Sequence, residues 1–231
     1  LYQAGGLALL LFFYMIVIAA GYIFVELACL HSAGMEPRGA TMATITVSVL
    51  GLFHWAVRPQ AMSFLFFGVL VWIIETHRLR GGRAAWVLPG LFALWSNLHG
   101  GFVFGIGLLG IYVVSRLAED LTQHHSVQSE TRHMLAVGIA SLLALSLNPS
   151  GPLGTVRYVL GFYRSKVTQS NNLEFMPLSM RELDGLAFFA ATIIFLLLAF
   201  QRRIRLPRYT VIAMLVFGLF SLYSGRVTPW F

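Results

Sequence analysis

Long apolar runs separated by short polar turns set the pattern of this chain. The runs fall at residues 4–30, 40–57, 60–76, 84–97, 102–115, 134–147, 185–200 and 209–223. At least four are long or apolar enough to read as bilayer spans, since a helix needs about 20 predominantly apolar residues to cross the hydrocarbon core. The runs at 84–97 and 134–147 are shorter than that. Arg58-Pro59-Gln60 breaks the chain between the second and third runs, and Pro59 suits the first position of a new helix. The segment 97–101, reading NLHGG, is a tight polar turn, and Asn148-Pro149-Ser150-Gly151-Pro152 is a chain reversal. Residues 152–182 form the longest stretch that does not span. Its first part, 152–164, places Leu153, Val156, Leu160 and Tyr163 on one stripe and Gly154, Arg157, Gly161 and Arg164 on the next, the pattern of an amphipathic helix lying in the membrane interface. The expected fold is all-α: one transmembrane domain over 1–231, a polytopic helical bundle of about eight spans with one interfacial helix.

Composition sharpens this picture. The chain is 58% hydrophobic and 11% charged, with mean hydropathy +0.76. A soluble domain of 231 residues could not hide so much apolar surface. The net charge of +7 does not point to nucleic acid, because the arginines flank apolar helices. Positive-inside topology and phosphate headgroups account for them. With the segment 77–83, HRLRGGR, placed in the cytoplasm, ten of the 16 basic residues fall inside and six outside. The turns RPQ, NLHGG, NPSGP, the 152–182 segment and SGRVTPW then all face outward. Cys29 is the only cysteine, which excludes an intrachain disulfide and a thiolate metal cluster. The start at Leu1 and the end at Phe231 read as cuts within a larger membrane protein.

Candidate chemistry gathers on the predicted outer side. Arg58 opens a helix, and a guanidinium is permanently charged and grips phosphate with two parallel hydrogen bonds. Snorkelling at the interface is the plain alternative. Asn97 and His99 each carry donor and acceptor atoms, and Gly100 and Gly101 allow a ligand close to the backbone. His99 is a candidate acid or base. The plain alternative is a helix-ending turn in which Asn97 and His99 satisfy loose backbone groups. Glu174 is a catalytic candidate that could ligate a divalent cation such as Mg or Mn or activate an acceptor, with ion pairing as its default. Arg157 on the interfacial helix and Arg226 after the last run resemble Arg58 in placement. Glu26 and Glu75 lie within apolar runs near the predicted cytoplasmic ends, where pairing with loop arginines is expected. His124 and His125 read as solvated.

The order of motifs carries a resemblance. LYQAGG before a span, RPQ opening a helix, LWSNLHGGFVFG, LNPSG, LEFMP and SGRVTPWF are similar to a group of bacterial multi-pass membrane proteins. These look like members of the GT-C glycosyltransferase superfamily, the class of protein mannosyltransferases and aminoarabinose transferases. The resemblance covers nearly the whole chain, and LWSNLHGG is its most specific part. It implies a helical bundle in the bacterial inner membrane that moves a sugar from a polyprenyl-phosphate donor to an extracytoplasmic acceptor. It also implies a catalytic acid in a first outer loop, upstream of Leu1 on this reading. Arg58, Gln60, Asn97, His99, Arg157 and Arg226 would then hold donor phosphate and sugar. Two other classes stay open: a transporter or flippase for a lipid-linked substrate, and a non-catalytic envelope protein that only binds lipid.

Overall fold

The computed structural model describes residues 2–32, 37–50, 58–164, 183–200 and 206–223. Every regular element among the described residues is helical. Helix α1 covers Tyr2–Ser32, with a kink at Gly5 and Gly6. Helix α2 covers Pro37–Leu50 and α3 Gln60–Arg80. A 3-10 turn at Arg83–Val87 leads into α4, Leu88–Leu98. Then come α5 (Phe102–Gln123), α6 (Ser129–Ala144) and α7 (Gly151–Arg164). Two more helices, α8 (Leu183–Phe200) and α9 (Arg208–Tyr223), complete the described chain.

The chain divides into two compact units, Leu1–Thr155 and Val156–Phe231. In the first, α1 runs along α3 while α4 touches α3, α5 and α6. The α1–α3 seam is close because both helices place glycine on it. A Cβ added at Gly68 would sit 2.6 Å from the Gly21 carbonyl oxygen, so small residues let the backbones approach. Tyr22 and Phe64 pack beside this point with ring centres 4.7 Å apart. The core centres on α4, whose Leu88, Phe92 and Trp95 are fully buried. Pro89 in its first turn and the Gly100–Gly101 pair after it keep α4 short. In the second unit, Phe188, Tyr209, Ala213 and Phe217 are buried.

Helices α3, α5 and α6 run further than the apolar pattern indicates, α6 by starting at Ser129. Helix α5 continues past Ser115 through the polar segment RLAEDLTQ. Arg116 donates to Glu119 at 3.1 Å one turn along, and Thr122 bonds the Ala118 carbonyl at 2.7 Å, local pairs of the kind that sustain an exposed helix. Helix α3 continues through HRLR to Arg80. It stops because Gly81 turns left-handed at φ 62°, with its N–H donating to the His77 carbonyl at 2.7 Å.

Among the described residues, three helical segments are long and apolar enough to cross a membrane: Gly5–His31, Gln60–Arg80 and Phe102–Gln123. Only 11% of the Gly5–His31 window is buried, and Leu7, Phe12, Met15, Ile16 and Ile23 stand exposed along it. An apolar face of that size on a helix is stable in lipid and not in water. The chain is a helical membrane protein in that sense.

Candidate functional site

At one end of the first unit, the α4–α5 turn folds back onto the first turn of α3. Trp95 on α4 donates its indole N–H to Ser63 Oγ at 2.7 Å. Ser63 Oγ lies 2.7 Å from His99 Nδ1. The Gly101 backbone N–H also donates to His99 Nδ1, at 3.1 Å. These contacts fix the imidazole. A nitrogen that accepts from a backbone N–H carries no proton, so in the neutral ring the proton sits on Nε2. Ser63 Oγ, accepting the hydrogen bond from Trp95, donates its own hydroxyl proton toward His99. Gly101 is required for this approach, since a Cβ there would fall 2.5 Å from Ser63 Oγ and 3.0 Å from His99 Nδ1.

Asn97 stands nearby and ties α4 to the turn that follows α6. Its Nδ2 donates to the Ala93 carbonyl at 2.7 Å and the Leu147 carbonyl at 2.8 Å. Arg58 and Gln60 occupy the same end: the Arg58 carbonyl accepts the Ala61 N–H at 3.1 Å as α3 begins, and the Arg58 side chain is exposed. The N-termini of α3 and α5 therefore meet around His99, bringing Arg58, Gln60, Asn97 and His99 to one end of the unit. Arg157 is exposed on α7, in the second unit. Arg226 and Glu174 lie outside the described residues.

Part of this arrangement is architectural. Both donors of Asn97 Nδ2 and the Nδ1 of His99 are engaged in holding the turn, which is the capping role weighed above. Asn148 acts likewise: Nδ2 bonds the Leu145 carbonyl and Thr155 Oγ1, both at 2.6 Å, and Oδ1 accepts the Ser150 N–H at 2.8 Å. Of the intramembrane acids, Glu75 pairs with Arg78 at 2.7 Å. Glu26 instead accepts a hydrogen bond from Thr41 of α2 at 2.5 Å.

A second group stands at the opposite end of α3. His77, Glu130 and His133 offer ligand atoms that all lie within 4.8 Å of one another. The His77 side chain is 3% exposed and its Nε2 is 3.3 Å from Glu130 Oε2. Sequence reasoning passed over these residues because they sit in polar segments that look like plain loops. A signal was present: Glu130 and His133 form a Glu-x-x-His pair, and on a helix that spacing puts both side chains on one face.

In comparison with known proteins, the chain matches no family model, no curated protein and no solved structure.

Proposed function

We propose that the chain belongs to a polytopic glycosyltransferase-like protein of the bacterial inner membrane, transferring a sugar from a polyprenyl-phosphate donor to an extracytoplasmic acceptor. The observation that carries the reading is the fixed imidazole of His99 between two helix N-termini, with Arg58 and Gln60 on the same end. Helix N-termini carry partial positive charge and favour a phosphate, and the Arg58 guanidinium adds a full charge. The leaving group of the reaction is the polyprenyl phosphate. The acceptor oxygen attacks the anomeric carbon, the bond to the phosphate oxygen breaks, and the acceptor proton passes to a base. His99 with its proton on Nε2 serves this step as a hydrogen-bond donor to phosphate or sugar oxygens, not as that base. The base falls to a carboxylate, of which Glu174 is the candidate in this chain.

The test measures donor binding and sugar transfer separately, on the full protein in lipid nanodiscs with polyprenyl-phosphate sugars. Arg58→Lys keeps the charge and loses the fork geometry, which is worth roughly 1.5–3 kcal/mol. Donor affinity should fall about tenfold to a hundredfold. Unchanged binding by Arg58→Ala would remove its phosphate role. Binding without transfer, across donors, acceptors and divalent cations, would leave a lipid-binding protein. The eight-span topology has its own check: a cysteine at position 172 should react with an impermeant reagent from outside, and one at position 203 should not.

A further inference from the structure

We propose that His77, Glu130 and His133 bind a divalent transition metal of the zinc type, joining the last turn of α3 to the first turn of α6. The inference is independent of sugar transfer. His77 stands 14 residues along α3 from Ser63, roughly 20 Å at 1.5 Å per residue, so either reading can fail alone.

The first support is the ligand set. Two imidazoles and one carboxylate suit zinc and its neighbours, whereas magnesium and calcium prefer oxygen ligands alone. The second is geometry. A tetrahedral ion with bonds of about 2.0 Å holds its ligand atoms about 3.3 Å apart. His77 Nε2 and Glu130 Oε2 are already 3.3 Å apart. The full set fits within 4.8 Å, and Glu130 and His133 are exposed enough to move the remaining distance. The rings of His77 and His133 pack edge to face at 5.3 Å between centres.

The third support is independent of spacing. Neither ring nitrogen of His77 has a hydrogen-bond partner, nor does the buried Nε2 of His133. Buried imidazole nitrogens are rarely left so, because the lost hydration is not replaced. Two histidines from different helices with orphaned nitrogens beside one carboxylate call for a common partner. A metal ion would take one nitrogen from each ring together with the carboxylate.

The surroundings permit the charge. Of the three arginines that line the adjoining cavity, Arg78 is paired with Glu75 at 2.7 Å and Arg116 with Glu119 at 3.1 Å, and Arg80 is exposed. A cavity of about 300 Å³, lined in part by His77, Glu130 and Thr131, adjoins the group and holds room for water to complete the coordination. Two features hold the ligands in place. Asp120, 2% exposed, accepts the Gln128 N–H at 2.8 Å and fixes the start of α6. Gly81 lies against the Glu130 carboxylate, where a Cβ would be 3.1 Å from both oxygens.

The experiment titrates zinc, and cobalt as a coloured substitute, into the detergent-purified full protein stripped of metal. One equivalent should bind, the cobalt form should show the absorption of a tetrahedral nitrogen–oxygen site, and zinc should raise the melting temperature. Glu130→Gln alters an exposed side chain and should weaken zinc binding at least tenfold while the metal-free protein melts as before. His133→Gln should act alike. His124→Ala with His125→Ala, on the exposed turn after α5, should change nothing. No stoichiometric uptake would overturn the proposal, leaving a His77–Glu130 ion pair. So would uptake that survives both ligand variants, or that vanishes with His124 and His125.

Discussion

The two ends of α3 solve the same problem in opposite ways. Each places a histidine where helices meet, half-buried His99 at one end and buried His77 at the other. At the Ser63 end the polar atoms satisfy one another: indole to hydroxyl, hydroxyl to imidazole, backbone N–H to the same imidazole nitrogen. At the His77 end the nitrogens make no hydrogen bond, and only Glu130 stands near, 3.3 Å from Nε2. A closed chain of hydrogen bonds specifies a shape without any ligand. An open set costs free energy until something fills it. The difference therefore separates scaffold from binding site within one helix, and in the direction opposite to the motif-based expectation. The denser sequence motif, NLHGG, spends most of its polar atoms on architecture. The plainer segments carry the unsatisfied ones.

The strongest way to break this comparison is Trp95→Ala. Trp95 is fully buried, stacks on Phe92 with ring centres 5.7 Å apart, and starts the hydrogen-bond chain. Removing a buried tryptophan costs about 3–5 kcal/mol. The melting temperature of the detergent-solubilised protein should fall more than for any other single change considered below. A small shift would mean that the Ser63 end is not the scaffold.

Ser63→Ala isolates the polar part of that effect. It leaves the indole N–H and the imidazole without their shared hydroxyl, worth about 1–3 kcal/mol for buried groups. It also frees His99 to change tautomer. Thermal unfolding reports the first consequence, and the imidazole nitrogen shifts in NMR report the second. An unchanged Nδ1 signal would show that Gly101 alone sets the ring.

Gly81→Ala sharpens the other end. The backbone at φ 62° and ψ −155° is one that almost only glycine adopts and costs an alanine about 1–3 kcal/mol, and its Cβ presses on the Glu130 carboxylate. Gly82→Ala is the matched control, with φ 98° and nothing within 4 Å of the added atom. Both should lower stability, and only Gly81→Ala should also weaken zinc binding. Equal zinc affinity in the two variants would remove Glu130 from the ligand set.

How much of this was legible follows from sequence distance. Helix class and most helix bodies are local properties, written in apolar runs and in stops such as Pro59, Gly81 and the Gly100–Gly101 pair. The NLHGG turn was visible because its polar residues are contiguous. What Asn97 and His99 bond to was not, because Leu147 lies in the turn after α6 and Ser63 on α3. The site at His77 needed two such steps: recognising Glu130 and His133 as one helical face, and knowing that α3 delivers His77 beside it. Only the first is readable from spacing. Taking 129–133 as loop rather than as the first turn of α6 hid even that.

Unpaired atoms are not all alike, and the smallest predicted effect tests this. Ser141 on α6 is fully buried, and its hydroxyl also has no hydrogen-bond partner. Yet a serine within a helix can turn its hydroxyl to the carbonyl one turn back, so its open state is shallow and points to no ligand. A helical histidine can do the same, as His31 does with the Leu27 carbonyl 2.6 Å from its Nδ1, yet neither nitrogen of the buried His77 makes that bond. Ser141→Ala should therefore leave the melting temperature unchanged or raise it, and zinc affinity should stay as it was. A clear loss of stability would mean that Ser141 has a buried partner such as an ordered water. The open nitrogens of His77 and His133 could then be hydrated in the same way. That outcome would weaken the contrast between the two ends of α3 at its root, because orphaned atoms would no longer distinguish a binding site from a wet core.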